Sequence, residues 1–362
     1  MEHITIIGGG IIGCATAYYL SQLGHTNVTL IEQSGIACHS SGKAGGFLAR
    51  KWCDSTDLKD LARTSFELHQ GLAKEYPELD YRNVDTYKVV TTAEKRECEE
   101  QKVKWLDGNV KEVELLDSKT DTAKVSPGPL CHKLIKEAQH RGVKVIIGKV
   151  DKVVTNGSKV EGVQVGEEIL PVDKLLIATG PWTTEFIRTW LPHANLPEIP
   201  PQTRAHSVVL KPEVTHPMSE CLFLYHHSEG EVRDPEIYPV PDGTVYVCGE
   251  VDYVPLPSSA DQIKPNVESC KRIISDAGCA VRALETAEVV KMQACYLPDS
   301  YDNLPMIGKV EGYNEVYVGS GHTFWGILNG PATGKCLAEL MMSGESKTCD
   351  ISKFDPARFS NL

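Results

Sequence analysis

The sequence predicts an α/β protein in which a parallel-sheet domain, discontinuous in the chain, carries a second, α+β domain built on an antiparallel sheet. Three observations predict it. The first thirty-two residues read strand, glycine turn, helix, strand. The same buried-strand and helix texture returns in the middle and at the end of the chain. Between them, from Pro197 to about Ala294, prolines and alternating strands replace it.

Taken in order, Ile4–Ile7 is a short apolar run that Gly8-Gly9-Gly10 breaks. Residues 11–23 have apolar positions at helical spacing, with small residues Gly13, Ala15 and Ala17, and Gly24 ends the helix. Residues 28–31 form a second buried strand. Such a unit opens a parallel sheet with helices on its faces. Leu58, Leu61, Leu68 and Leu72 predict a helix. From about Tyr81 to Val125 the pattern turns polar and strand-like, with a charge run over 94–100, as in an inserted segment. A helix follows over 130–141, capped by Gly142, then a buried strand over 143–147 and a hairpin over 150–165 turning at Asn156-Gly157. Residues 175–178 form another strand. The 197–294 stretch holds one helix near 267–277, after which come a strand at 316–318 and a helix over 326–342. The expected boundaries are therefore 1–80, 126–196 and 295–362 for the parallel-sheet domain, and 81–125 and 197–294 for the other.

Composition narrows the partners. The chain has 362 residues, 41% apolar and 24% charged, with a formal net charge of −12. Nucleic-acid binders present a basic face, so neither a phosphate backbone nor an anionic membrane surface is an expected partner. No uncharged apolar run is long enough to span a bilayer. The N-terminus runs straight into its first strand, so no cleavable leader is expected. The 12 cysteines are scattered, without C-x-x-C or zinc-ligand spacing, which reads as reduced, intracellular thiols and no metal site.

Gly8-x-Gly10-x-x-Gly13 sits after a strand and opens a helix, where a dinucleotide fingerprint belongs. Its glycines permit the tight turn and close approach of pyrophosphate to backbone, and the helix N-terminus at Ile11 and Ile12 offers N–H groups. Glu32 closes the second strand, where a carboxylate accepts from ribose hydroxyls and repels a 2′-phosphate. A flavoenzyme reduced by a nicotinamide carries a second fingerprint, and Leu176-Ile177-Ala178-Thr179-Gly180 does not lead into one. One dinucleotide bound across separated segments points to FAD with electrons supplied by the substrate, and to a Rossmann-like FAD-binding domain.

Four segments carry a family resemblance. They are the fingerprint with Glu32-Gln33; Ala37-Cys38-His39-Ser40-Ser41-Gly42-Lys43-Ala44-Gly45-Gly46; Ala178-Thr179-Gly180-Pro181-Trp182; and Leu304–Gly308 with Gly319-Ser320-Gly321-His322-Thr323-Phe324-Trp325-Gly326-Ile327. Over nearly its whole length the chain resembles the FAD-dependent amino-acid oxidase superfamily that includes glycine oxidase, sarcosine oxidase and D-amino-acid dehydrogenases. Within it, the chain resembles a little-characterised branch of oxidoreductases from yeasts, plants and bacteria. The resemblance implies that Ser40 and Ser41 meet the cofactor phosphates and that Gly45 and Gly46 run beside the flavin. It implies that Ala178, Gly180 and Trp182 lie near the dinucleotide and that Val150 meets the adenine. It further implies that Gly321, His322, Trp325, Gly326 and Ile327 close over the ring, with a helix N-terminus aimed at its N1/C2 edge.

The resemblance also sets expectations for chemistry. Cys295 stands where sarcosine-oxidase-like members carry a cysteine joined to the flavin 8-methyl carbon; it is equally read as a buried apolar thiol. Trp325 replaces their carboxylate-contacting lysine with an aromatic wall, which favours an apolar or cationic amine or simply packs the flavin. Tyr238 matches a substrate-facing tyrosine. Glu250 replaces the family histidine, either to hold an ammonium group or as a solvated strand-end residue. Lys43 faces flavin or water, where a basic group aids oxygen reduction.

The expected function is oxidation of a C–N bond of a small amine or amino acid by hydride transfer to flavin N5, with oxygen as acceptor. Two alternatives stand beside it. One is a dehydrogenase passing electrons to a quinone or carrier protein; the other is a non-catalytic flavoprotein serving regulation or trafficking. The expected compartment is the cytoplasm, with the peroxisome second on the C-terminal Ser360-Asn361-Leu362.

Overall fold

The computed structural model describes residues 2–94, 102–196, 200, 202–213, 216–228 and 230–359. The charge run over 94–100, apart from Glu94, and the C-terminal tripeptide lie outside them. Six strands form the cofactor sheet in the order Met306–Lys309, Val316–Ser320, Lys174–Ile177, Ile4–Ile7, Val28–Glu32, Lys144–Ile147. Five are parallel; Met306–Lys309 runs antiparallel at the edge. The register sets Ile7 between Ile31 and Ile177, so the three central strands end together.

Alternation along these strands divides two cores. Ile4, Ile6, Leu30, Leu176 and Tyr317 pack with the helices Ile11–Gln22, Lys59–Glu75, Pro127–His140 and Gly326–Ser343. Ile7, Ile31, Leu175, Ile177, Val316 and Val318 face the opposite way, onto Val153, Val160 and Val163. Those valines belong to a three-stranded antiparallel layer, Lys152–Asn156, Lys159–Val165 and Glu168–Pro171. The expectation of helices on both faces is thus corrected: this layer, with the helix Thr183–Trp190, covers the second face. The strand Lys144–Ile147 is likewise not fully buried, because it is the sheet edge and Ile147 is 57% exposed.

The second large sheet has the order Glu288–Tyr296, Arg204–Lys211, Val245–Asp252, Glu236–Pro239, Cys221–Ser228, Thr86–Thr92, Val110–Asp117, with Glu231–Arg233 pairing Cys221–Ser228. It is not wholly antiparallel. Thr86–Thr92 runs parallel to Cys221–Ser228, because it enters from a distant part of the chain and not through a hairpin. One face carries Val208, Leu222, Leu224, Ile237, Val245 and Val247 against the helix Val267–Gly278. A small fourth sheet joins Arg82–Asn83 and Thr122–Lys124 to Phe47–Ala49. Both ends of the inserted segment are therefore pinned to the strand that follows the Ser40–Gly46 loop.

Gly13 is where the fingerprint is tightest: a Cβ there would stand 2.0 Å from the Gly8 carbonyl oxygen. Gly13→Ala must therefore push the helix off the strand. It is expected to destabilise the apo-protein by about 2–4 kcal/mol, read as a fall in urea midpoint. An unchanged midpoint would show that the turn has slack.

Candidate functional site

The ends of the parallel strands, the Ser40–Gly46 loop and one face of the large sheet enclose a single cavity of about 970 Å³. At one end Gly8, Gly9 and Gly10 precede the helix Ile11–Gln22. Gly8 has φ +113°, and a Cβ on it would lie 2.2 Å from the Ala178 carbonyl oxygen. Glu32 reaches back to this turn: its Oε2 accepts from the Gly9 N–H at 2.7 Å and its Oε1 from the Ser34 N–H at 2.9 Å. The carboxylate is thus fixed by backbone donors, with further lone pairs directed at the cavity side. The Ser41 hydroxyl oxygen accepts from the Ile11 N–H at 3.0 Å, which stitches the second segment onto the helix N-terminus.

At the other end Gly45 lies under the large sheet. A Cβ on it would sit 2.5 Å from the Tyr238 ring, so only glycine lets this loop run flat beneath the aromatic face. The turn Gly321–Thr323 leads into the helix Gly326–Ser343, whose N-terminus opens on the same cavity. The two glycine turns, more than 300 residues apart in the chain, face one trough.

Most of the residues singled out from sequence line it. Gly8, Gly10, Ile11, Ile12, Glu32, Gln33, Val150, Ala178, Gly180 and Trp182 lie towards the fingerprint; Ser40, Ser41, Gly45, Gly46, Cys295, His322, Trp325, Gly326, Ile327 and Tyr238 also border the space. Three candidates do not. Gly13 and Gly321 act through packing and turn geometry, Gly321 at φ +80°. Lys43 turns away and donates from Nζ to the Ala294 carbonyl at 2.9 Å, because that carbonyl lies on the strand crossing its own short helix. Ser40 donates to the Tyr296 carbonyl at 2.7 Å, committing its hydroxyl hydrogen to the protein.

Glu250 stands at the cavity margin, but Arg272 holds its Oε2 at 2.7 and 3.1 Å. The cause is a bulge. The register with Arg204–Lys211 slips so that Cys248 and Glu250 oppose consecutive residues, and Gly249, at φ +147°, is the extra one. Arg272 lies on the helix covering the sheet's other face. Glu250 is thereby paired with Arg272, and is neither the free carboxylate nor the solvated strand-end residue of the two sequence readings.

Glu236, which the sequence reading passed over, faces the cavity instead. Its cross-strand neighbours are Phe223 and Cys248, and Tyr238 follows it on the same face. The Tyr238 hydroxyl donates to Glu236 Oε2, and the Cys248 thiol approaches the same oxygen at 3.5 Å. Burial pushes the Glu236 carboxyl up from the usual range, opposed by the Tyr238 hydrogen bond. Phe47, Trp52, Phe223, Tyr246 and Trp325 complete an aromatic chamber, with Trp52 4.9 Å from Phe223 and 6.5 Å from Trp325 between ring centres. The available signal for Glu236 was period two: once Tyr238 faces the cavity, residue 236 must as well, while Ile237 is buried opposite.

Burial holds His39, His69 and His322 neutral. Tyr296 N–H points at His39 Nε2 at 3.3 Å, so His39 carries its proton on Nδ1, towards the Ser40 oxygen at 2.7 Å. Burial lowers His39 and His322 to about 3. His69 donates from Nε2 to the Ile327 carbonyl at 2.9 Å and is lowered by burial to about 4. These shifts set an acid limit. The unfolded histidines protonate near 6.5 while the folded ones resist, so the stability they provide is complete above that pH and declines as pH falls towards 4. Three such groups give a slope approaching about 4 kcal/mol per pH unit. His69→Gln is expected to lessen the slope between pH 6.5 and 5 by about a third, read from urea midpoints.

A fold that joins one dinucleotide fingerprint to an aromatic substrate chamber through one trough defines a dinucleotide-dependent oxidoreductase. The chain belongs to the FAD dependent oxidoreductase family, whose description matches residues 3–340. It is 29% identical to a Schizosaccharomyces pombe protein named as an oxidoreductase, over 98% of both chains. It is 23% identical to glycine oxidase of Bacillus subtilis, over 94% of this chain and 93% of that one. Its fold matches that of glycine oxidase from Geobacillus kaustophilus with a TM-score of 0.81 at 19% identity, covering 99% and 98% of the two chains. L-proline dehydrogenase from P. horikoshii gives the same figures, 0.81, 19%, 99% and 98%. The protein is an FAD-dependent oxidoreductase. The cavity fits the cofactor by its own chemistry: a glycine turn at a helix N-terminus for the pyrophosphate, Glu32 for the ribose, and a flat glycine loop under an aromatic face for the ring.

Proposed function

We propose that the protein oxidises the C–N bond of a small amine or amino acid, by hydride transfer to flavin N5, and that oxygen takes the electrons. The observation that carries this reading is the aromatic chamber at the flavin end of the trough, walled by Trp52, Phe223, Tyr238, Tyr246 and Trp325. The names of relatives support it: glycine oxidases recur among them, and a 4-methylaminobutanoate oxidase of Paenarthrobacter nicotinovorans is 25% identical over 98% of this chain and 45% of that one.

The bound flavin supplies a two-electron acceptor. The protein's own residues supply position and environment. The aromatic walls exclude water from the reacting C–H bond and restrict the substrate to poses against the loop Gly45–Phe47, a contribution worth several kcal/mol in favourable cases. The N-terminus of the helix Gly326–Ser343 directs N–H groups and a positive dipole end into the cavity, which favours negative charge arriving there. His322 is held neutral by burial and bonded to Thr333 Oγ1 at 2.9 Å, so it contributes shape and not a proton.

The purified protein is expected to be yellow, and suitable amines or amino acids should bleach its visible band without air. A bound flavin that no such compound reduces would favour the non-catalytic reading. Slow recovery of the band in air, with fast recovery by a quinone, would favour the dehydrogenase. Cys295 borders the cavity, and burial pushes its thiol up to about 11, so it stays protonated at neutral pH. FAD should therefore remain in the supernatant after acid precipitation; a yellow pellet would show covalent attachment.

A further inference from the structure

The chamber holds acidic side chains and, among the described residues at its sheet end, no cation apart from the Arg272 that pairs Glu250. Among the described residues that line the cavity, Lys149 is the only lysine or arginine. It lies next to Gly148, whose N–H donates to the Glu32 carbonyl at 2.8 Å, and so belongs to the fingerprint end. At the sheet end the charged residues are Asp234, Glu236 and Glu250, and Arg272 already occupies Glu250. Glu236 is bonded only by neutral donors, the Tyr238 hydroxyl and the Cys248 thiol. The groups that act on it electrostatically are Tyr238, Cys248 and the like-charged Asp234. His39 and His322 are neutral, as shown above. A substrate carboxylate entering here would find no cation and would meet Glu236.

We infer that Glu236 reads the substrate amino group and that the substrate is a cationic amine without an α-carboxylate, bearing an apolar or aromatic substituent. This rests on the C–N oxidation reading. The ammonium enters against the Glu236 carboxylate, and the substituent lies among Trp52, Phe223 and Trp325. One ammonium N–H bond then breaks and an O–H bond forms on Glu236. Both charges vanish, which a desolvated chamber favours over an ion pair. The nitrogen lone pair so released is what C–H cleavage requires. Tyr238 fixes the carboxylate by donating to its Oε2, which leaves Oε1 to accept the proton, and is a positioning residue.

The test is anaerobic reduction of the holoprotein's flavin by matched pairs: benzylamine against D- and L-phenylglycine, and phenethylamine against D- and L-phenylalanine. Each amine is expected to reduce the flavin at least about 100-fold faster than its carboxylated partners, since an unpaired like charge costs several kcal/mol. Glu236→Gln, checked for retained flavin, should weaken apparent amine affinity about 100-fold. It should also make reduction climb with pH through the free amine's own pKa, while wild type stays flatter; Glu236→Asp should recover part of the affinity. A merely structural role would not move the pH profile. Faster reduction by the amino acids, or a Gln variant with unchanged affinity and pH profile, would overturn the assignment while leaving C–N oxidation standing. Failure of every amine and amino acid to bleach the flavin would overturn both.

Discussion

The placement of the whole site depends on one contact, the packing of the helix Ile11–Gln22 on the helix Gly326–Ser343. Each helix presents its N-terminus to the trough, so the distance between their axes sets the distance between the two ends of the cofactor site. Gly330 and Gly334 bring them close: Cβ atoms there would stand 2.4 Å from Ile11 Cγ1 and 2.5 Å from Ala15 Cβ. Any side chain at either position would spread the helices and misplace both turns at once. The second helix accepts a cost at this point. Pro331 removes the N–H that would bond the Ile327 carbonyl, and His69 from the helix Lys59–Glu75 supplies the missing donor. Holding that histidine neutral is what its buried position does, and a neutral ring with its proton on Nε2 is the form the carbonyl needs.

The chamber's electrostatics follow from a second backbone detail. Tyr246 and Cys248 face the cavity with Tyr238 and Glu236, as strand alternation requires. Continued regularly, the same strand would bring residue 250 to that face and place two carboxylates side by side. Gly249 interrupts it, because a Cβ there would meet Pro235 Cα at 2.6 Å and its φ of +147° suits glycine alone. The bulge delivers Glu250 to Arg272. One carboxylate is discharged on the helix side and the other is left in the chamber.

This contrast explains what was legible in the sequence. The fingerprint, Glu32 and the discontinuous parallel sheet could be read because each is fixed by local chemistry: a turn that only glycine makes, a helix that starts there, a run of apolar residues too short to be anything but a strand; the two loops placed beside the flavin were read from the family resemblance alone. That residues 8 to 46 and 319 to 327 share one trough was expected from the family resemblance of those segments, and the parallel strands, whose ends converge, bring them together. The antiparallel layer over residues 152–171 was read as a hairpin, but its place on the sheet face was not, since that is decided by which valines find partners in space. Glu250 was singled out because it stands where the resemblance puts the family's histidine; that a single extra residue at Gly249 turns it to Arg272, and leaves Glu236 facing the cavity, is not visible in the spacing. Trp52 and Phe223 carry no motif at all and meet only through the fold.

The same electrostatic logic links the two ends of the cavity. At the fingerprint end, every polar feature suits an anion or a hydroxyl: free helix N–H groups, Lys149 on the rim, and a carboxylate for ribose. At the chamber end, the helix N-terminus at Gly326 opens on the cavity, and the opposing sheet supplies aromatic faces and Glu236, groups that suit a cation better than an anion. A molecule with both an ammonium and a carboxylate would have one half opposed by the sheet. A molecule whose only charge is an ammonium has it satisfied by one carboxylate and cushioned by ring faces, and it loses that charge by a single proton transfer before its C–H bond is broken. The geometry therefore separates the charge that binds the cofactor from the charge that selects the substrate, and places the reacting bond between them.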